Sequence, residues 1–183
     1  MLFVDQVNRK TYVDRLRYWI LMKSTFITGI AATWIIIATS FVITQQIEAQ
    51  EGNKIITYLS GKEEVPPTKT DASAWAKFQE VNNGSQIVYS VSIIGLNKIT
   101  GAHLHEGVEG QNGDVVAVLA GNKSAAQGNT TISFKGNITK DDLQGPFKGK
   151  EVSDLISRMK NSSIYVNVPT DEYKDGVIRG QIG

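Results

Sequence analysis

The sequence predicts an all-β fold: a Greek-key-like antiparallel sandwich or barrel of about eight short strands with one short amphipathic helix, preceded by one N-terminal transmembrane helix. Apolar and polar residues alternate in short runs after residue 53, and Gly, Asn or Pro separates these runs. A long apolar stretch precedes them. We therefore divide the chain into a basic segment at 1–23, an apolar segment at 24–47, a linker at 48–53 and a β-domain at 54–183.

The apolar segment at 24–47 contains no charged side chain, and its core at 26–43 is long enough for a helix to cross a hydrocarbon layer of about 30 Å. Basic residues crowd before it, and Glu48 follows it. The positive-inside rule therefore predicts a cytoplasmic N-terminus and an external β-domain. Two interpretations remain open. The segment is either a retained single-pass anchor in the cell membrane, or a signal peptide that begins at Met22 rather than Met1, is cleaved after Ala49 and releases a secreted domain.

Eight runs of the β-domain alternate as expected of strands whose successive side chains face opposite sides of a sheet. The runs lie at 55–59, 74–81, 87–93, 101–105, 115–119, 130–136, 164–168 and 177–182. Pro66 and Pro67 lack amide donors, so we expect them to break the pairing between the first two strands.

One helix interrupts this pattern near the C-terminus. Val152, Leu155, Ile156 and Met159 follow helical spacing, with charged residues between them. We expect this amphipathic helix to cover one end of the domain.

Composition excludes several classes of function. The chain after residue 49 carries 14 basic and 15 acidic residues without a basic stripe, which argues against nucleic acid as a partner. The absence of cysteine excludes disulfides, thiolate metal sites and a cysteine nucleophile. No nucleophile elbow, phosphate loop or metalloprotease motif occurs, so a non-catalytic protein is favoured.

His103 and His105 are the two histidines of the chain. On a strand, residues i and i+2 project from the same face, so both imidazoles are expected to share one space. They are either two ligands of a copper or zinc ion, or two hydrogen-bonded histidines at a polar strand end. A metal would need a further ligand from Glu106, Asp114 or one of three later carboxylates, which are Asp171, Glu172 and Asp175.

Five Asn-x-Ser/Thr triplets follow the apolar segment, and such triplets are glycosylation acceptors in exported proteins. They begin at Asn83, Asn122, Asn129, Asn137 and Asn161. They give weak additional support for export.

Four blocks of the sequence resemble the CHRD domain, named from chordin. They are LSGKEEVPP at 59–67, GAHLHEGVEGQNGDVVAVL at 101–119, GNITKDDLQGP at 136–146 and YVNVPTDEYKDGVIRGQI at 165–182. The resemblance implies an extracellular β-domain, without an established activity for most microbial members.

The resemblance also implies a polar cluster. It brings His103, His105, Asn167 and Arg179 together by position, with Glu106 beside them. For Asn167 and Arg179 the alternative role is to hydrogen-bond loops to the sheet. Gly107, Gly110 and Gly113 are expected to supply loop turns with positive φ.

One position departs from the family pattern. Pro169 stands where the family commonly has histidine, so a three-histidine metal site cannot form. Proline cannot donate to a ladder, so residue 169 is expected at a strand end or sheet edge.

Three hypotheses for function follow from these features. The first is a non-catalytic binding module, membrane-anchored or secreted, that meets an extracellular protein or glycan. The second is a copper- or zinc-binding redox or metal-delivery protein that uses His103 and His105. The third is a structural subunit of an envelope assembly.

Overall fold

Ten strands and one α-helix form the part of the chain that the computed structural model describes, which is residues 53–126, 128 and 130–183. The helix is α1 (Val152–Lys160). The strands are β1 (Lys54–Ser60), β2 (Ser73–Val81), β3 (Gln86–Ile94), β4 (Lys98–Ile99), β5 (Ala102–Glu106), β6 (Val115–Ala120), β7 (Lys123–Ser124), β8 (Thr131–Ile138), β9 (Ile164–Val168) and β10 (Ile178–Ile182).

Eight of these strands form one antiparallel sheet in the order β6-β5-β9-β10-β1-β2-β3-β8, and β4 pairs separately with β7. The sheet is nearly closed, because its edge strands β6 and β8 approach each other. The Tyr89 hydroxyl of β3 donates a hydrogen bond of 2.6 Å to the carbonyl of Leu119 in β6. This bond links edge strand β6 to β3, the neighbour of the other edge strand, β8.

The interior of the barrel is filled by the alternating apolar residues of the strands. Phe78, Ile93, Leu104 and Val166 are among the buried residues of this core. Helix α1 covers one end. The four apolar residues predicted for its inner face are all buried, and Met159 lies close to Phe78 and Ile87 of the sheet.

All eight predicted strands are present, and the amphipathic helix is confirmed. The period-two pattern did not reveal β4 and β7, because two-residue strands show no period. The sheet is a single, nearly closed barrel, not two packed layers.

The prediction for Pro66 and Pro67 was wrong. Strands β1 and β2 pair along the whole of β1, from Lys54 opposite Gln79 to Ser60 opposite Ser73. The prolines lie in the connection after β1, where no ladder hydrogen bond is required of them. Pro169, as predicted, directly follows the end of a strand, β9.

The predicted segments at 1–23 and 24–47 lie outside the described residues, as does most of the linker at 48–53. Within the described part of the chain, no helix has the length and apolar character needed to cross a membrane.

Closure of the barrel through Tyr89 gives a first prediction. Tyr89→Phe removes the hydroxyl and leaves the Leu119 carbonyl without its donor, so we expect the free energy of unfolding to fall by about 1 kcal/mol. The control is Tyr58→Phe, because the Tyr58 side chain is exposed; its effect should stay within about 0.5 kcal/mol. Urea unfolding of the full chain, followed by circular dichroism, measures both. Equal losses for the two variants would contradict the role given to Tyr89.

Candidate functional site

The candidate site lies on the outward side of β5, β9 and β10. Neighbouring strands place His103 beside Asn167 and Asn167 beside Arg179. In the next row, His105 lies beside Tyr165, which lies beside Gln181. An outward side usually meets solvent, but two loops cover this one: the β1–β2 loop at 61–72 and the β5–β6 loop at 107–114. We call Glu64, His105, Tyr165, Asn167 and Arg179 the buried polar cluster.

Arg179 is the centre of this cluster, and only 1% of its surface is exposed. Its guanidinium carbon lies 3.5 Å from the centroid of the Tyr165 ring, a cation–π arrangement. The His105 ring also stacks on Tyr165, with centroids 5.0 Å apart and an angle of 15° between the planes. Tyr165 is therefore packed by a cation and by an imidazole, and its hydroxyl accepts a hydrogen bond from the Gly113 amide at 3.1 Å.

The guanidinium of Arg179 fixes the β5–β6 loop by hydrogen bonds. Its two terminal nitrogens donate to the Val108 carbonyl at 3.0 Å and to Asn112 Oδ1 at 3.2 Å. Asn112 in turn donates from Nδ2 to the Val65 carbonyl at 2.8 Å, which reaches the β1–β2 loop. The Asn112 side chain therefore connects the β1–β2 loop to Arg179, which also holds the β5–β6 loop.

Gln181 provides a second attachment of the β5–β6 loop. Its Nε2 lies 2.9 Å from the Gly107 carbonyl, 3.0 Å from that of Ser162 and 3.0 Å from that of Ile164. Its Oε1 accepts a hydrogen bond of 3.3 Å from Arg179. Arg179 and Gln181 therefore both hydrogen-bond the β5–β6 loop to the sheet, which is the alternative role that the sequence analysis gave for Arg179.

Glu64 enters the cluster from the β1–β2 loop and is 5% exposed. Asn167 donates from Nδ2 toward both of its carboxyl oxygens, at 3.2 and 3.3 Å, and to the Asp175 carbonyl at 3.0 Å. Gly176 has a φ of +132°, and a Cβ there would overlap Asn167 Nδ2. Only glycine at this position allows the Asn167 amide to reach Glu64.

Burial determines the electrostatics of Glu64. Desolvation raises the pKa of its carboxyl from 4.5 to about 7, and the positive charge of Arg179 only partly opposes that rise. The carboxyl therefore changes its charge near neutral pH, inside a packed cluster.

The two histidines face one space, as the i and i+2 spacing predicted, with ring centroids 6.0 Å apart. Burial lowers the pKa of both imidazoles; the neighbouring His105 lowers that of His103 further, whereas the Gly113 carbonyl partly opposes the shift at His105. His105 Nδ1 lies 2.9 Å from the Gly113 carbonyl, which can only accept, so Nδ1 carries the proton. Its Nε2 is buried and has no hydrogen-bond partner within the described residues.

The surroundings of the histidines do not add the third ligand that a metal usually needs. Among the described residues, no group of three or more His, Asp or Glu side chains is placed to hold a metal ion.

Glu106 faces away from the buried polar cluster. It forms an ion pair of 3.2 Å with Arg158 of helix α1 instead. Its position on β5 is one residue from His105, so its side chain projects from the opposite side of the strand.

The glycines of the β5–β6 loop have two different roles. Gly110 has a φ of +76°, as predicted, but Gly107 and Gly113 do not have positive φ. At Gly113 a Cβ would overlap the Glu106 carbonyl oxygen, and at Gly107 it would lie 2.9 Å from the Gln111 carbonyl oxygen. Close approach of the backbone, not its dihedral angle, requires glycine at these two positions.

The possible glycosylation sites lie on the surface wherever the structure describes them. The exposed residues are Asn83, Asn122, Asn137 and Asn161. Asn129 lies outside the described residues.

Sequence reasoning did not identify Glu64, Tyr165, Asn112 and Gln181 as parts of this cluster. Glu64 lies in a loop next to the exposed Glu63, and nothing in that local sequence indicates its burial. A usable signal was present in the strands. Tyr165 and Asn167 alternate on one side of β9, and Arg179 and Gln181 alternate on one side of β10.

A nearly closed antiparallel barrel with two loops fastened over one side defines a small all-β module. The model of the CHRD domain family matches residues 56–182. This chain belongs to the CHRD domain family. None of the curated proteins compared with the chain matches it.

The central place of Arg179 gives a second prediction. Arg179→Ala leaves Asn112 Oδ1 and Gln181 Oε1 without the guanidinium donor, and the Val108 carbonyl keeps only the Gln111 amide, so we expect the free energy of unfolding to fall by about 3 kcal/mol. Arg179→Lys keeps the charge but not the planar fork, and should recover only part of this loss.

Urea unfolding of the full chain measures the Arg179 variants. The control is Arg158→Ala, which removes an exposed arginine from its ion pair with Glu106 and should cost less than about 1 kcal/mol. If Arg179→Ala does not fold, Arg179→Lys still provides the comparison. A loss no larger than that of Arg158→Ala would show that the cluster does not depend on the guanidinium.

Glu64 gives a third prediction, on pH. The pKa of its carboxyl is higher in the folded than in the unfolded chain, so its contribution to stability is complete below pH 4.5 and is lost as the pH rises to about 7. The loss should approach 3 kcal/mol. Glu64→Gln should remove this dependence, whereas Glu63→Gln, at the exposed neighbour, should keep it.

Denaturant unfolding from pH 5 to 8 measures this effect as the difference between wild type and each variant. The histidines act in the opposite direction, because protonation below about pH 6.5 disfavours the fold, and the difference removes their contribution. Parallel pH profiles for wild type and Glu64→Gln would contradict the prediction.

Proposed function

We propose that this CHRD domain protein is a non-catalytic binding module displayed on the outside of the cell, held by the apolar segment at 24–47 or secreted after cleavage at Ala49. One observation carries the proposal: a CHRD domain at 56–182 follows an apolar segment, and the basic residues lie on the N-terminal side of that segment.

The loop attachments support a binding role. The β1–β2 and β5–β6 loops are held to the sheet by Arg179, Asn112 and Gln181, so their surface is formed before any partner arrives. A preformed surface loses little conformational entropy on binding. Such fixed loops suit recognition.

The fourth prediction tests the location. In cells that express the full chain, protease added outside should digest the β-domain while the cells remain intact. Ile36→Arg places a charge inside the apolar segment and should prevent export, which leaves the domain protected. The control, Ile36→Leu, keeps the segment apolar and should behave as wild type. A wild-type domain that is digested only after the cells are opened would overturn the proposal.

A second candidate function is supported by one observation at His105. Its Nε2 is buried and has no hydrogen-bond partner among the residues that the structure describes, and burial favours the neutral form of both imidazoles, which is the form that binds metal. On this second proposal the protein carries or delivers copper or zinc. Titration of the full chain with Cu²⁺ should then show one site that His103→Ala and His105→Ala abolish. Binding no tighter than millimolar, or unchanged in the double variant, would end this proposal.

A further inference from the structure

The outward side of β1, β2, β3 and β8 is not covered by the two loops, and we call it the open face. Tyr58 lies directly opposite Trp75 across the β1–β2 pair. Tyr58 is 76% exposed and Trp75 is 40% exposed. Two adjacent aromatic side chains on the outside of the barrel form a platform on which a partner with an apolar surface can stack.

The open face is positively charged. Lys77 and Lys135 lie in one row across the sheet, on either side of Ser90 and about two strand spacings, or roughly 10 Å, apart. No outward-facing residue of these four strands is acidic. Neither lysine forms an ion pair within the described residues, so both ammonium groups can receive an anion.

A shallow depression of about 620 Å³ lies beside the aromatic pair. The two lysines line it together with amide and hydroxyl groups of Gln79, Ser90 and Asn137. In the row of the aromatic pair, the hydroxyls of Ser92 and Ser133 lie 3.1 Å apart. Val88, Tyr89 and Gly136 also line the depression, so it combines two cations and a few uncharged hydrogen-bonding groups with apolar surface.

The open face also exposes the apolar side chains of Ile56, Val88 and Ile94, so its partner must offer apolar surface as well as groups that bind the lysines and hydroxyls. A sugar chain needs aromatic planes for its C–H surfaces and amides and hydroxyls for its own hydroxyl groups. Lys77 and Lys135 then favour a sugar that carries negative charge, because opposite charges attract and a neutral glycan gains nothing from them.

We propose that the open face binds a polyuronate, a polysaccharide with a carboxylate on each sugar. Tyr58 and Trp75 stack against sugar rings, and Lys77 and Lys135 receive the carboxylates of the same chain. The inference rests on the proposed binding role, and it assigns the glycan to the sheet, apart from the surface of the fixed loops.

The experiment uses two matched probes, polygalacturonate and its fully methyl-esterified form, which share a backbone but differ in charge. Isothermal titration calorimetry of the purified full chain should show at least about tenfold tighter binding of the acid form. The difference should shrink at high salt, because exposed ammonium–carboxylate attraction is screened.

Variants identify the surface. Trp75→Ala should weaken binding of polygalacturonate about tenfold through loss of stacking, and Lys77→Gln with Lys135→Gln should weaken it by a similar factor. The control pair is Lys123→Gln with Lys148→Gln, which removes the same charge from exposed positions off the open face and should leave the affinity within about twofold. Urea unfolding of each variant confirms an intact fold.

Several outcomes would overturn the inference. These are no binding of polygalacturonate, equal binding of its ester, or an equal loss in the control pair. A glycan found on Asn137 by mass spectrometry of the native protein would also overturn it, since that glycan would fill the depression. Self-association that Trp75→Ala abolishes would assign the face to a second copy. If external display fails in the protease test while this binding persists, only the location is wrong.

Discussion

Burial of the Arg179 guanidinium is the constraint on which the loop-covered half of this domain depends. A cation taken out of water is costly unless its donors are satisfied. Here the acceptors come from the loop residues Val108 and Asn112 and from Gln181, and the Tyr165 ring covers one face of the guanidinium. Because its acceptors belong to a loop, the charge is satisfied only while that loop is closed. One buried charge therefore couples the order of the loops to the order of the sheet.

The cluster satisfies this charge without a direct carboxylate partner. The ion pairs of the described residues do not include Arg179, and Glu64, on which the charge of Arg179 acts, is bonded to the Asn167 amide. Burial therefore outweighs the attraction of Arg179 and keeps the pKa of Glu64 near neutrality. The same burial holds the histidines neutral. A cluster of this kind is most stable when it carries little charge beyond the arginine itself.

The limits of prediction from sequence follow from which interactions are local. Alternation within a strand is local, so all eight long strands and the inner face of α1 could be predicted. Glu64 is buried against Asn167, which lies 103 residues further along the chain, so the sequence around Glu64 does not indicate its burial. The open aromatic pair of Tyr58 and Trp75 depends in the same way on the register of two strands, which the sequence did not determine.

The two outward sides of the barrel differ for a physical reason. The interior is filled by side chains, so any large partner must bind outside it. On the side of β9 and β10, loops already supply the hydrogen-bonding partners of the polar residues, and Arg179 has no exposed surface to offer. On the side of β2 and β3, lysines, hydroxyls and a tryptophan face outward without such a cover. Polar side chains that hydrogen-bond within the domain stabilise the fold. Polar side chains that face solvent keep their donors and acceptors available for a ligand. The open face is therefore the side of this domain on which we expect a glycan to bind.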